Sequence, residues 1–490
     1  GIDAYTAAFQ IPDFMFYILV SGALSVTFIP VFVQRLGSGN KRSAWALSAS
    51  MINFLAPLTM IASIVIIIFA PWLVDYVVAP GMDEAGRALA TSMMRVIAVN
   101  PFLFAIATVI ASIQQALGRY LFYALAPMIY NIGIIIGALS FTNGITIFGW
   151  HIFEGGIMGV ALGVVLGSIM QLLVSAIGLV GLGFDYEFKI SWKNKGFRTV
   201  LSLLPARSLD QGMDYLNSIV ETNLASRLGE GVVRAYQQVT ALHLMPINLV
   251  GVAISTAAFP SMSENLGSGR IDRYRKELQQ VVRVIIWLAL PIATITYFGR
   301  GYLVSFIKNG GDQLMATLLG TLVIAMLFRT VYHIAARSFY AQQDTKTPLY
   351  ISLFSIGLNI ALAIWFTMSL KMGPVGLAFA QSIVAVVEVV ILFVVIHKRL
   401  EGGFVDAPMI HAVGRMLSAT GFTALVAYGM VQLLQFQSTD LSLKTTVPKF
   451  VVITIVSFAV YLGVCRLMRL EETYPVIARI EKVVFGGVRR

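Results

Sequence analysis

The sequence predicts an all-α polytopic membrane protein: two parallel, pseudo-symmetric six-helix halves and a pair of C-terminal helices. Three observations predict it. Of 490 residues, 58% are hydrophobic and only 12% are charged, against about 25% charged in an average soluble protein. A soluble globule cannot hide that much apolar surface. Apolar stretches of about 20 residues, long enough to cross a bilayer, recur along the chain. The sequence also repeats itself. Ser25, Phe28-Ile29-Pro30 and Gly37-Ser38-Gly39 are echoed by Ser255, Phe259-Pro260 and Gly267-Ser268-Gly269, and an internal repeat fixes architecture before any single element does.

Taken in order, the apolar stretches give thirteen spans: 4–34, 44–79, 88–117, 121–142, 156–182, 197–227, 232–264, 277–307, 313–336, 348–369, 374–397, 411–435 and 446–468. Several exceed what a bilayer needs and should tilt, kink or project into water. Pro12, Pro57, Pro101, Pro127, Pro205, Pro246 and Pro291 fall inside spans, where proline removes a backbone bond and bends a helix. Lysine and arginine favour one set of loops over the other by roughly three to one, which makes that side cytoplasmic. Gly1 is then outside and Arg490 inside. The net charge of +11 follows from this loop bias and calls for no nucleic acid partner.

The repeat continues beyond the first echo. Phe122-Tyr123-Ala124 with Pro127 resembles Phe339-Tyr340-Ala341 with Pro348, and Gly159–Leu162 resembles Gly376–Phe379. Both copies face the same way, so the halves are parallel repeats. The expected division is 1–183 for the first half, 184–400 for the second, and 401–490 for the extra helix pair and a cytoplasmic tail. The span 197–227 precedes the second copy and has no counterpart before the first. A further helix is therefore expected ahead of Gly1.

Charges inside spans are costly and mark interior cavities. Span 197–227 carries the most. Arg207, Asp210 and Asp214 lie three and four residues apart on one helical face, and Glu221 continues nearly the same stripe. Two readings stand: a polar stripe lining a transport cavity, or a structural network in which Asp210 neutralises Arg207. Asp3 either pairs with a cation on the expected upstream helix or sits at a solvated helix start. Gln237, Gln238 and His243 are cavity-lining candidates on the span that opens the second repeat, with a satisfied core histidine as the other reading of His243. Arg329 is deep in its span and suits contact with an anionic substrate. Arg283 and Arg95 are expected to snorkel to the span edges. Glu388 has no evident partner.

One cysteine and five scattered histidines supply no disulfide framework and no metal site. There is no G-x-x-x-x-G-K-[ST] loop to bind ATP, and no paired acidic or histidine motif points to catalysis. A transporter is expected, not an enzyme, with no cofactor.

Several motifs carry a family resemblance across essentially the whole chain. Asp3-Ala4-Tyr5, Phe9–Pro12, Ser21–Ser25 and Phe28–Pro30 resemble the second-helix signature of the MurJ/MviN family. So do Leu224-Ala225-Ser226 with Gly229-Glu230-Gly231, Ala258–Pro260 with Ser263, and above all Phe339–Pro348. The resemblance implies lipid II flippases of the multidrug/oligosaccharidyl-lipid/polysaccharide exporter superfamily, with fourteen helices in the bacterial cytoplasmic membrane. It implies alternating access by a central hydrophilic cavity, cationic side chains holding the diphosphate, and the undecaprenyl tail kept in lipid along a groove of the last two helices. It also implies an undecaprenyl diphosphate saccharide as substrate, drive from the membrane potential or a cation gradient, and cell-wall synthesis enzymes as partners. The family's arginine on the second helix corresponds to Phe16 or Tyr17 here. Its arginine on the eighth helix falls near Ala241 and the following acid near Leu244; its acidic residue on the second helix is retained as Asp3. Arg207 and Arg329 are the substitutes at hand. Export of another lipid-linked saccharide or of drugs is the alternative within the superfamily, and a non-transporting cell-wall scaffold is the alternative from another class.

Overall fold

The computed structural model describes residues 1–21, 28–37, 39–147, 150–153, 155–342, 344–400, 403–435 and 442–478. Side chains are described throughout these except at 21, 30, 37, 145–147, 150–153, 203, 205–211 and 214. Contacts divide the chain into two compact units, Gly1–Arg234 and Ala235–Arg490. This division follows packing, whereas the halves read from the sequence follow the repeat.

The first unit contains α1 (Ile2–Phe16), α2 (Ile29–Gly37), α3 (Lys41–Trp72), α4 (Glu84–Ile97), α5 (Asn100–Ala116) and α6 (Tyr120–Ser140). A short antiparallel hairpin follows, β1 (Ile145–Ile147) and β2 (Trp150–Phe153), then α7 (Met158–Ile177) and α8 (Lys195–Ser226). Polar side chains start the helices where sequence placed turns. Asn40 accepts from Ser43 N–H, Asp83 from Gly86 N–H, and Asn194 from Gly196 N–H, which supplies acceptors for otherwise unpaired first-turn donors. The core falls in two clusters. One gathers Phe28, Phe32, Trp45, Met51, Ile113 and Phe197; the other gathers Ala7, Val74, Met94, Ile97, Val164 and Ile219.

Glycine sets how closely α6 and α7 approach. A Cβ on Gly133 would lie 2.3 Å from Gly167 Cα, and one on Gly137 would lie 2.4 Å from Gly163 Cα. The backbones meet directly, the small-residue packing expected where lipid offers no hydrophobic drive between helices.

The second unit contains α9 (Val232–Pro246, its first turn belonging to the first unit), α10 (Ala253–Gly267), α11 (Ile271–Phe298), α12 (Arg300–Ser305), α13 (Gln313–Ala341), α14 (Lys346–Ile364), α15 (Pro374–Arg399), α16 (Ala407–Leu433) and α17 (Leu443–Leu467). α13 packs against α11 and α15, while α16 and α17 pack on each other and on α11. Tyr461 of α17 is fully buried and donates to the Trp287 carbonyl of α11 at 2.9 Å. Arg283 reaches two carboxylates, with the exposed Glu471 at 3.6 Å. Its Nε lies 2.6 Å from Glu472 Oε1, in the turn after α17, and the Glu472 side chain is only 4% exposed. The turn after α17 brings these carboxylates within ion-pair reach of α11.

Among the described residues, eleven helices or helix runs are long and apolar enough to cross a membrane. The other two expected spans differ for identifiable reasons. Span 4–34 is α1 and α2 with undescribed residues between them. Span 197–227 is the continuous 32-residue α8, about 48 Å long, but its charges exclude it on composition. Span 88–117 divides just ahead of Pro101, into α4 ending at Ile97 and α5 beginning at Asn100. Pro101 stands in the first turn of α5, where its missing N–H leaves no intrahelical bond unmade. Pro12 and Pro246 precede π-helical turns at Tyr17–Ser21 and Ile247–Val252.

Candidate functional site

The side chains of Arg207, Asp210 and Asp214 lie outside the described residues; their backbone is helical within α8. Glu221, further along the stripe, is buried and accepts from Asn217 Nδ2 at 3.1 Å. Its surroundings are sewn together. Ser218 Oγ donates to Gln10 Oε1 at 3.2 Å, and Asn223 Nδ2 donates to the Val77 carbonyl at 2.7 Å. Tyr215 stacks on Tyr17 with ring centroids 4.1 Å apart. This end of α8 is a packed polar seam within the first unit.

Asp3 has backbone partners. One carboxylate oxygen accepts from Gly231 N–H at 2.6 Å and the other from Arg234 N–H at 2.9 Å. The carboxylate caps the first turn of α9, where free N–H groups and the helix dipole both favour negative charge. A polar cavity of about 610 Å³ adjoins it, lined by Asp83, Arg227, Glu230 and Arg234 among others.

In the second unit the polar groups converge on α9 and α13. Gln237 and Gln238 are half-buried on α9, and Gln238 Oε1 is a buried acceptor with no hydrogen bond. His243, a turn further, is 2% exposed. Its Nδ1 lies 3.2 Å from the Thr240 carbonyl, so Nδ1 carries the proton and Nε2 is left as a lone-pair acceptor. Nε2 is buried without a partner. Arg329, His333 and Arg337 stand four residues apart on α13. Arg329 Nε is itself buried without a partner. Among the described residues, no carboxylate lies within ion-pair distance of Arg329, His333 or Arg337. Gly251 fixes this neighbourhood: a Cβ there would sit 2.5 Å from the Thr330 carbonyl, so the π-helical turn after α9 rests directly on the α13 backbone beside Arg329.

A second cavity in this unit, about 630 Å³, is lined by Val282, Ile286, Phe328, Val389, Phe393 and Leu417, with His397 and Lys398 at one end. The loop that closes this end is pinned. His397 Nδ1 accepts from Phe404 and Val405 N–H at 3.0 and 3.2 Å, and Gln279 Nε2 donates to the Phe404 carbonyl at 2.6 Å.

The structure thus places Gln237, Gln238 and Arg329 in one unit and Asp3 and Glu221 in the other. Glu388, which has no evident partner in the sequence, is buried and interacts within the protein. His333 was missed by sequence reasoning, although its signal was present: Arg329, His333 and Arg337 recur every four residues on one helix.

Comparison with known proteins agrees with this architecture. The family described as "Lipid II flippase MurJ" matches residues 2–451. A "Lipid II flippase MurJ" of Burkholderia cenocepacia is 26% identical over 410 residues, 81% of this chain and 77% of that protein. A "Probable lipid II flippase MurJ" of Rhizobium meliloti is 21% identical over 445 residues, 89% of this chain and 81% of that protein. Among solved structures, a lipid II flippase MurJ in an inward closed conformation superposes with a TM-score of 0.74 at 21% identity, covering 94% of this chain and 92% of that one. An inward-facing multidrug resistance MATE family transporter of the MOP superfamily gives a TM-score of 0.67 at 16% identity, covering 81% and 91%.

Proposed function

The chain belongs to the MurJ lipid II flippase family, and from that premise we propose that it moves lipid II from the inner to the outer leaflet of a bacterial cytoplasmic membrane. The observation that carries the reading is the family match over residues 2–451, on a fold with eleven candidate spans. The physical task is a sugar-peptide headgroup with a diphosphate, which hydrocarbon does not admit unaided. Polar and cationic faces inside the spans lower that barrier while the polyprenyl tail remains among apolar surfaces. The apolar cavity between α11, α13, α15 and α16 offers hydrocarbon such a surface within the second unit.

The basic-loop bias supports a cytoplasmic C-terminus. Drive from the membrane potential or a cation gradient, and association with cell-wall synthesis enzymes, belong to the same proposal. Alternating access is its mechanism: the polar faces open to one side, bind the headgroup, and reopen to the other. The test is complementation. In a bacterium depleted of its own lipid II flippase, expression of this protein should restore growth and lipid II exposure at the outer leaflet. Correct membrane insertion with no rescue and no lipid II exposure would overturn the reading.

A further inference from the structure

His397, Lys398 and Arg399 close α15, and the basic-loop bias assigns that end to the inner leaflet. α15 packs on α13 and α16 packs on α11. The cavity of about 630 Å³ lies between α15 and α16, with α11 and α13 as its floor. That floor is closed: Val282, Leu290 and Val331 are each at most 6% exposed. The rim is open, with Val390 and Val394 of α15 and Leu417 of α16 each about half exposed. Along α15 the lining runs from Val389 to Lys398, and along α16 from Met409 to Leu417, which is about 14 Å and about 12 Å of helix. One leaflet holds about 15 Å of hydrocarbon, half of a core of about 30 Å. The crevice is one leaflet deep.

Its mouth is polar. Lys398 is exposed and makes no hydrogen bond or ion pair among the described residues. The nearby charges are already engaged. Arg399 donates to Asp344, and Asp406 accepts from Met409 N–H and Gln279 and lies 3.9 Å from Arg275. His397 Nδ1 accepts two backbone N–H groups, so its ring proton is on Nε2, which is a donor.

We propose that this crevice is the site of an inner-leaflet glycerophospholipid, one acyl chain lying between α15 and α16 and the phosphate held at the mouth by Lys398 and His397. The site goes beyond the flippase reading, because its ligand is a lipid of the bilayer and not the transported substrate. Hydrocarbon of any kind suits the walls; depth and mouth select among hydrocarbons. Acyl chains set the thickness of a leaflet, so a crevice one leaflet deep brings the attached phosphate to the level of Lys398. There the phosphate meets an ammonium with no competing carboxylate and a ring N–H, and charge-assisted bonds of this kind are the stronger ones. A head with net negative charge is favoured over phosphatidylcholine, whose own cation competes with Lys398. The chain also supplies partner atoms to walls that α15 and α16 do not supply to each other, and so couples the C-terminal helix pair to the rest of the second unit.

The experiment is native mass spectrometry of the full chain, delipidated in detergent and titrated with dioleoyl phosphatidylglycerol, dioleoyl phosphatidylcholine or undecaprenyl phosphate. The wild type should retain one phosphatidylglycerol, preferred over phosphatidylcholine by about fivefold, the effect of one lysine at a lipid phosphate. Lys398→Gln should bring the two close to parity. Leu417→Trp and Val390→Trp, which place bulk at the open rim, should each abolish retention. Ile455→Trp, on an exposed position of α17 outside the crevice, should leave it intact. Melting temperatures show whether each variant is folded. Undiminished retention in folded Leu417→Trp and Val390→Trp would overturn the site. A wild type that binds both phospholipids equally would overturn the role of Lys398. Displacement of phosphatidylglycerol by an equal concentration of undecaprenyl phosphate would assign the crevice to polyprenyl chains and overturn the choice of ligand.

Discussion

Arg399 at the end of α15 donates to Asp344 at 2.7 Å and, through its second terminal nitrogen, to Thr347 Oγ1 at 2.8 Å. Asp344 also accepts from the N–H groups of Lys346 and Thr347, both at 3.0 Å, and the Arg399 guanidinium lies over the Phe339 ring. The stretch Phe339–Pro348, the most specific motif in the sequence, is thus a joint that ends α13, starts α14 and ties both to α15.

This joint predicts an acid sensitivity. Burial pushes the Asp344 carboxyl up, but bonds from Thr347 and the Arg399 charge outweigh it and hold the group well below the usual carboxylate range. A depressed folded value stabilises the fold above the unfolded value of about 4 and is lost as pH falls below it. Melting temperature measured from pH 7 to pH 3 should fall at the acid end. In Asp344→Asn the fall should be smaller, from a lower starting point at pH 7.

The Arg283–Glu472 pair predicts an asymmetry. Removing either partner leaves the other charge largely buried, so Arg283→Ala or Glu472→Ala should each cost about 3 kcal/mol or more. Replacing both with apolar residues of similar volume should cost much less. Unfolding of purified protein in detergent measures the difference. Equal losses in single and double variants would show that the pair does not carry the contact between α11 and the turn after α17.

Close packing of α6 on α7 predicts that Gly163→Leu prevents normal assembly, because even its Cβ would lie 2.6 Å from Gly137 Cα. A loss of folded protein by fluorescence-detected size exclusion is expected. Gly357→Ala on α14 is the control. No atom lies within 4 Å of the added Cβ, and alanine is better than glycine in a helix by up to about 1 kcal/mol, so this variant should fold at least as well as the wild type.

Asp3 predicts a structural rather than a transport phenotype. Asp3→Ala should lower stability by about 1 kcal/mol through loss of the α9 cap. Asp3→Asn keeps an acceptor and should retain most of both stability and flippase activity. Melting temperature and complementation, read together, separate these outcomes. Full stability with abolished activity in Asp3→Asn would assign the carboxylate a role in transport.

The helical membrane class and the parallel repeat were legible because they depend on composition and period, which the sequence displays directly. The spacing of Arg207, Asp210, Asp214 and Glu221 likewise reports a shared helical face, since 3.6 residues per turn decides that locally. Spacing does not report what that face meets. The partners of Arg283, Glu471 and Glu472, could not be read from sequence because they lie far along the chain in a turn with no periodic signal. His243 looked satisfied because nothing local reveals that Nε2 lacks a donor. Arg337 counted as a loop charge although α13 runs past it to Ala341.

By itself, the sequence determined the membrane class, the repeat and the family. Each is a property of composition or of short-range periodicity. Only the tertiary structure decided that Asp3 caps α9, that Arg283 meets Glu472, and that Arg399 ties Asp344 and Thr347 to the end of α15. Those outcomes depend on which distant donor reaches which acceptor. A hydrogen bond forms over about 3 Å in space, and packing, not sequence separation, brings its partners that close.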